Sequence, residues 1–344
     1  MATLFYFEYF CSNKINLLEI NKSSIFDIKD DSDFQELALQ VFNYQFNHNK
    51  VYRSFCDLLY VHPSDVQHIT QIPFLPIQFF KTHEVLSSQN PIEQTFTSSG
   101  TTGSITSKHI VTDLDIYKQS FRKSFQSFYG NVEDYVVLAL LPSYLERDGS
   151  SLIYMVNDMI AQSNHPESDF YLDDLDALSK TLTKLDKSHK KVLLIGVSFA
   201  LLDLAERYQF NLKNTIIMET GGMKGRRKEL IRAELHHILK QGFSVKNIHS
   251  EYGMTELLSQ AYSNGKGIFN CSKWMKVLTR DTEDALTIQQ YGKTGGLNII
   301  DLANVNSCSF IATQDLGKIH SNGSFEVVGR FDNSDIRGCN LMVL

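Results

Sequence analysis

The chain has 344 residues, 42% hydrophobic and 21% charged, so it is long enough to bury a core without disulfide or metal staples. Its formal net charge of −6 argues against nucleic-acid binding, which rests on Lys and Arg at phosphates. Cys11, Cys56, Cys271, Cys308 and Cys339 stand far apart without a CxxC pair or a regular spacing, so free thiols in a reducing, cytoplasmic compartment are expected. The apolar N-terminus MATLFYFEYFCSNK lacks the basic n-region and cleavage site of a signal peptide, and no apolar run reaches the length of a membrane span.

In chain order, the spacing of Phe34, Leu37, Ala38, Val41 and Phe42 predicts helix within the stretch from Asp33 to Tyr60. Ile72-Pro-Phe-Leu-Pro-Ile77 cannot continue a helix and reads as an extended connection. From residue 95 strands alternate with helices: strands at Tyr135–Leu141, Lys191–Ile195 and Asn214–Glu219, each followed by a helix, at Ser150–Gln162, Ser198–Tyr208 and Glu229–Lys240. This alternation predicts an α/β fold with a parallel sheet covered by helices. Past Asn298 shorter strands follow, at Leu297–Leu302, Ser309–Thr313 and Phe325–Val328, between Gly and Asn turns.

The segment Thr97-Ser-Ser-Gly-Thr-Thr-Gly-Ser104 is suited to phosphate oxygens. Its glycines let successive N–H groups face one concavity, and its hydroxyls add donors. It is not a P-loop, since GxxxxGK[ST] is absent, and by itself it reads equally well as a polar surface loop.

Downstream segments weigh in favour of phosphate. Ser98 to Gly103 resembles the [ST]SGTTG loop of the adenylate-forming superfamily of acyl-CoA synthetases, luciferases and peptide-synthetase adenylation domains. Glu219-Thr-Gly-Gly222 resembles that superfamily's GG turn, Ile248-His-Ser-Glu-Tyr-Gly-Met-Thr-Glu256 its YGxTE motif, Thr313-Gln-Asp-Leu-Gly317 its TGD, and Gly329-Arg-Phe-Asp332 its GRxD. Within it, Phe74-Leu-Pro-Ile77, Leu141-Pro-Ser-Tyr-Leu-Glu146, Tyr252 to Gln260 and Arg337-Gly-Cys-Asn340 are most similar to the acyl-protein synthetases of bacterial luminescence, the luciferin-component ligases. The resemblance implies residues 1–94 as a helical section packed on the core, 95–328 as an adenylation core of parallel-sheet subdomains with a small β-rich subdomain, and 329–344 as a hinge-like tail.

It also implies ATP-dependent activation of a carboxylic acid, a fatty acid by the nearest resemblance, as acyl-AMP, followed by transfer to a thiol. That thiol is the chain's own cysteine, a partner protein such as a reductase, or CoA. On that reading Ser98, Ser99, Gly100, Thr101, Thr102 and Gly103 grip the phosphates, and Thr255 contacts the α-phosphate. Glu256 is the Mg²⁺ ligand, because a hard cation prefers carboxylate and phosphate oxygens. Tyr252, with Gly253 beside it, stacks on adenine, while Gly221 and Gly222 admit the base. Asp315 accepts from the ribose hydroxyls with Arg330 in support. Cys339 matches the place of the acyl-carrying cysteine, with Arg337 able to favour its thiolate.

Three departures stand out. The lysine of the usual GxPK continuation is postponed to Lys108, and TGD has become Thr313-Gln314-Asp315. The sequence runs only twelve residues past Asp332, so the superfamily's small C-terminal domain and its catalytic lysine are expected to be missing. A rival pattern lies at Gly196-Val-Ser-Phe-Ala200, which approximates a serine-esterase elbow with Ser198 as nucleophile and His249 or His320 as base. A third reading is a non-catalytic nucleotide- or acyl-binding component.

Overall fold

The structure, a computed structural model, describes residues 20–98, 105–141, 149–172, 174–221 and 230–331. It opens with helices α1 (Lys22–Phe26), α2 (Asp31–His48) and α3 (Lys50–Leu58). Asp30 caps α2 by accepting from the amides of Ser32 and Asp33 at 2.9 and 3.0 Å. The helical spacing between Asp33 and Tyr60 is realised as two helices, because Asn49 takes an extended conformation and its side chain caps α3 at the Tyr52 amide. The apolar face of α2 converges on Phe310, which Phe42 meets edge-on at 6.1 Å and Tyr52 stacks on at 6.0 Å.

The proline-bounded connection forms the two-residue strand β1 (Leu75–Pro76), followed by the short α4 (Phe79–Thr82). β2 (Gln94–Thr97) and β3 (Lys108–Val111) make a separate antiparallel hairpin. Then come α5 (Leu114–Tyr129), β4 (Tyr135–Leu140), α6 (Ser151–Ser163), β5 (Asp169–Phe170), α7 (Leu175–Lys187), β6 (Lys191–Gly196), α8 (Ser198–Arg207), β7 (Thr215–Glu219), α9 (Arg232–Phe243) and β8 (His249–Tyr252). Every residue of β4 is buried, as expected of an apolar strand covered on both faces. Strands β5, β4, β6, β7 and β8 lie side by side in that order, all parallel.

The remaining strands are β9 (Ala261–Ser263), β10 (Ile268–Cys271), β11 (Met275–Arg280), β12 (Thr294–Asp301), β13 (Phe310–Ile319) and β14 (Phe325–Arg330). They join the parallel set through the antiparallel β8–β9 pair, giving one 12-stranded sheet among the described residues. β1 pairs parallel with β13, Leu75 opposite Ile311, so the N-terminal segment adds its own strand to the antiparallel half. This mixed α/β architecture agrees with the fold class expected from the sequence. The parallel strands and their helices lie within three residues of the positions expected, α9 at 232–243 rather than 229–240, whereas the strand expected at Ser309–Thr313 runs on as β13 to Ile319.

Candidate active site

The site lies where the parallel half of the sheet meets the antiparallel half. Strand ends in a parallel sheet leave their loops on one side, at which ligands of α/β folds gather. Here β7 delivers Thr220 and Gly221, and β8 delivers Tyr252 through Glu256.

Tyr252, Asp315 and Arg330 come together across the junction. The Tyr252 hydroxyl donates to Asp315 Oδ2 at 2.8 Å, and Arg330 Nε stands 2.8 Å from Oδ1. Asp315 on β13 faces Arg330 on β14 as a register pair, which explains their meeting. The Tyr252 ring packs edge-on against Phe325 at 5.5 Å and tilts against Phe269 at 5.8 Å. Burial and the Asp315 charge push the phenol well above its ordinary pKa, so it donates and stays neutral. Each Asp315 oxygen keeps a lone pair for a further donor.

Glu256 is buried, and burial raises its carboxyl pKa against the opposing pull of the Ser107 side chain, Arg330 and Lys81. A cation placed there would favour the ionised form. Among the described residues no group of three His, Cys, Asp or Glu could hold a metal alone. A single carboxylate completed by phosphate oxygens is the pattern Mg²⁺ uses, so Glu256 fits that ion.

Ser98 pairs with Ser107 on either side of the segment expected to hold phosphate. Its hydroxyl accepts from the Ser107 amide at 2.9 Å, and its own amide donates to the Ser107 carbonyl at 3.1 Å. Ser98 is thus tied to Ser107, whose side chain bonds Glu256. Lys108 opens β3 with its side chain exposed. Gly221 has φ +64°, a conformation natural to glycine, and its amide donates to Glu219 Oε2 at 2.9 Å. Ser99, Gly100, Thr101, Thr102, Gly103, Gly222, Arg337 and Cys339 lie outside the described residues.

Sequence reasoning missed the groups that hold the Thr255–Glu256 turn. His109 on β3 is fully buried; its Nδ1 donates to the Thr255 carbonyl at 2.8 Å, and its Nε2 lies 2.9 Å from Asn304 Oδ1. Burial pushes its pKa down to about 4. The Asn304 amide donates to the carbonyls of Glu256 at 2.8 Å and Cys308 at 2.9 Å. Asp301 accepts from the amides of Leu258 and Ser259 at 2.8 and 3.0 Å, fixing the chain just past Glu256. The one available signal for His109 was its place beside the apolar pair Ile110-Val111, with which it forms the buried part of β3.

The esterase constellation does not assemble. Ser198 is buried at the start of α8 and donates to Glu219 Oε2 and the Gly221 carbonyl at 3.2 and 3.1 Å. His249 meets the Tyr129 hydroxyl, and His320 pairs with Glu326.

The chain matches the family described as "Acyl-protein synthetase, LuxE" over residues 23–344. It is 23% identical over 330 residues to the long-chain-fatty-acid–luciferin-component ligase of Vibrio harveyi, covering 89% of this chain and 85% of that one. The ligase of the same name from Photorhabdus luminescens is 37% identical over 70 residues, 20% of this chain and 60% of that one. Among solved structures, 2-hydroxyisobutyryl-CoA ligase in complex with 2-HIB-AMP shares the fold with a TM-score of 0.64 at 12% identity, over 88% of this chain and 68% of that one. ATP-bound MatB from Rhodopseudomonas palustris aligns with a TM-score of 0.52 at 15% identity, over 71% of this chain. The match spans 49% of the MatB chain, about half its length.

Proposed function

The chain belongs to the LuxE acyl-protein synthetase family, and on that premise we propose that it activates a long-chain fatty acid with ATP and passes the acyl group to a thiol. The observation that carries this reading is the meeting of Tyr252, Asp315 and Arg330 across the sheet junction, beside the Thr255–Glu256 turn and the Ser98–Ser107 pair. The fatty-acid ligases named among its relatives support the substrate class.

In the first step a carboxylate oxygen bonds to the α-phosphorus and the bond to the bridging oxygen breaks, releasing pyrophosphate. The protein's share is positioning and charge stabilisation. Asp315 takes the ribose hydroxyls, Thr255 faces the α-phosphate and Glu256 holds Mg²⁺, which neutralises phosphate charge when bound. Residues 99–103 complete the phosphate cradle. Tyr252 is better placed to orient Asp315 through its hydroxyl than to offer a free face to adenine, because Phe325 and Phe269 pack against its ring. In the second step a thiolate attacks the acyl carbon and AMP leaves.

ATP–pyrophosphate exchange dependent on an added fatty acid tests the first step; an esterase would give none. For the second step Cys339 is the proposed carrier. ATP and labelled fatty acid should label the protein as a hydroxylamine-sensitive thioester, and Cys339→Ser should abolish the label while exchange continues. A serine variant that labels normally would move the carrier role to another thiol of the protein, and label found on CoA alone would make CoA the acceptor.

A further inference from the structure

Two residues before Asp315, the backbone of β13 is gripped by an arginine from another strand. Arg280 closes β11, opposite Gly296 of β12. It is buried, with 8% of the residue exposed, and its guanidinium reaches across β12 to β13. Nη1 donates to the Leu297 carbonyl at 2.9 Å and to Asn298 Oδ1 at 2.8 Å, while Nη2 donates to the Thr313 carbonyl at 2.5 Å. All three acceptors are neutral. Burial works against the charge, and the negative charge of Asp315 supports it. A cation held this deep without a directly bonded carboxylate is costly, so its place calls for a reason. β12 is shaped to admit it. A Cβ on Gly296 would stand 2.5 Å from Arg280 Cζ, and one on Gly295 would stand 2.1 Å from the Arg280 carbonyl oxygen. The Gly295-Gly296 pair, which belongs to none of the motifs above, thus leaves the room that this guanidinium fills. Pairing of β12 with β13 slips between Gly296 and Asn298, where the guanidinium crosses.

From Thr313 the hold passes to Asp315. Thr313 Oγ1 donates to the Leu297 carbonyl at 2.9 Å, the same oxygen that Arg280 binds, and accepts from the Asp315 amide at 3.1 Å. The guanidinium also lies 5.4 Å from the centroid of the Phe331 ring, and the Phe331 amide donates to the Gln314 carbonyl at 2.8 Å. Both residues that precede Asp315 are therefore tied, one directly and one through Phe331, to the same buried cation. We propose that Arg280 is a positioning residue for the nucleotide: by fixing Thr313 it sets the direction in which Asp315 presents its carboxylate to the ribose. This rests on the adenylate-forming reading above. The role calls for arginine, because a planar fork meets oxygens of two strands at fixed spacing, whereas the single ammonium of lysine is a point charge on a flexible stem.

The test compares ATP with 2′-deoxy-ATP in fatty-acid-dependent pyrophosphate exchange. The wild type should prefer ATP in kcat/KM by about tenfold or more, as one hydrogen bond to a charged group provides. Arg280→Lys keeps the charge and most of the stem but loses the fork. Gly296→Ala keeps the arginine and pushes its guanidinium aside. Each variant should lose most of the preference and raise the KM for ATP about tenfold, with kcat and the KM for the fatty acid little changed. A general loosening of the sheet would lower the amount of active protein for both nucleotides alike and leave their ratio unmoved, so the ratio reports the aim of Asp315. The two substitutions reach the guanidinium from different strands, and either one decides the matter if the other does not fold. A folded variant that keeps the wild-type ratio overturns the proposal. Exchange in which the wild type treats both nucleotides alike also overturns it and leaves the adenylate-forming reading standing, whereas a wild type without any exchange overturns both.

Discussion

Asp315 already receives two donors in the structure, the Tyr252 hydroxyl and Arg330, and that sets what its loss should do. Asp315→Ala removes the proposed ribose acceptor and strands a buried phenol. Lost hydrogen bonds to a charged group are worth about 1.5–3 kcal/mol, so the KM for ATP should rise by roughly 10–100-fold. An unchanged ATP affinity would take Asp315 out of the nucleotide site. Glu256→Gln keeps size and the backbone ties through Asn304, but replaces the anionic oxygen with an amide. Mg²⁺-dependent exchange should fall below detection while the circular dichroism spectrum stays that of the wild type. Retained exchange would exclude Glu256 as the metal ligand.

Among the elements, the turn after β8 depends on groups brought in from elsewhere. His109 comes from β3 of the hairpin, and Asn304 from the connection between β12 and β13, so three segments meet on the Thr255 and Glu256 carbonyls. Asn304→Ala should cost about 2–3 kcal/mol of stability through orphaned buried carbonyls, and should lower kcat at saturating ATP. Equal urea midpoints for variant and wild type would show that the turn holds itself. None of this was readable beforehand, because Asn304 lies in Leu302-Ala-Asn304, outside any recognisable motif, and its partners are remote in sequence. The parallel strands were legible because buried runs such as Tyr135–Leu140 declare themselves locally. Tyr252, Asp315 and Arg330 were legible as motif members, but the bonding of Tyr252 to Asp315 and its packing on phenylalanines were not, since both arise from β8 abutting β13 and β14. The same holds for Gly317, read as the last residue of the TGD-like segment. A Cβ there would meet the Glu326 carbonyl oxygen at 2.3 Å beside a register shift, so its role is strand packing.

For the molecule as a whole, buried ionisable groups shape how stability varies with pH. Glu251 and Asp301 are raised by burial, to about 7 and about 6, so the folded state holds more protons than the unfolded one between the ordinary carboxylate range and those values. Their contribution falls as pH rises through that window. His109 acts in the opposite sense: lowered to about 4, it binds fewer protons folded than unfolded, and its contribution grows as pH rises from 4 to 6.5. Glu219, lowered to about 2, contributes fully above the ordinary range and is lost in acid. Glu251→Gln should therefore flatten the wild-type profile from pH 5 to 7 by about one proton, or about 1.4 kcal/mol per pH unit. Urea unfolding at several pH values measures this, and identical slopes would contradict it. The N-terminal helices carry a different kind of consequence. Gln45 of α2 donates to the Asn304 carbonyl, 259 residues further along the chain, and Ser309 donates back to it. On a ribosome adding about 5–20 residues each second, α2 waits roughly 10–50 s for that partner to be made. Throughout the wait Phe42 has no Phe310 to meet edge-on, so α2 needs other cover for its apolar face until β13 arrives.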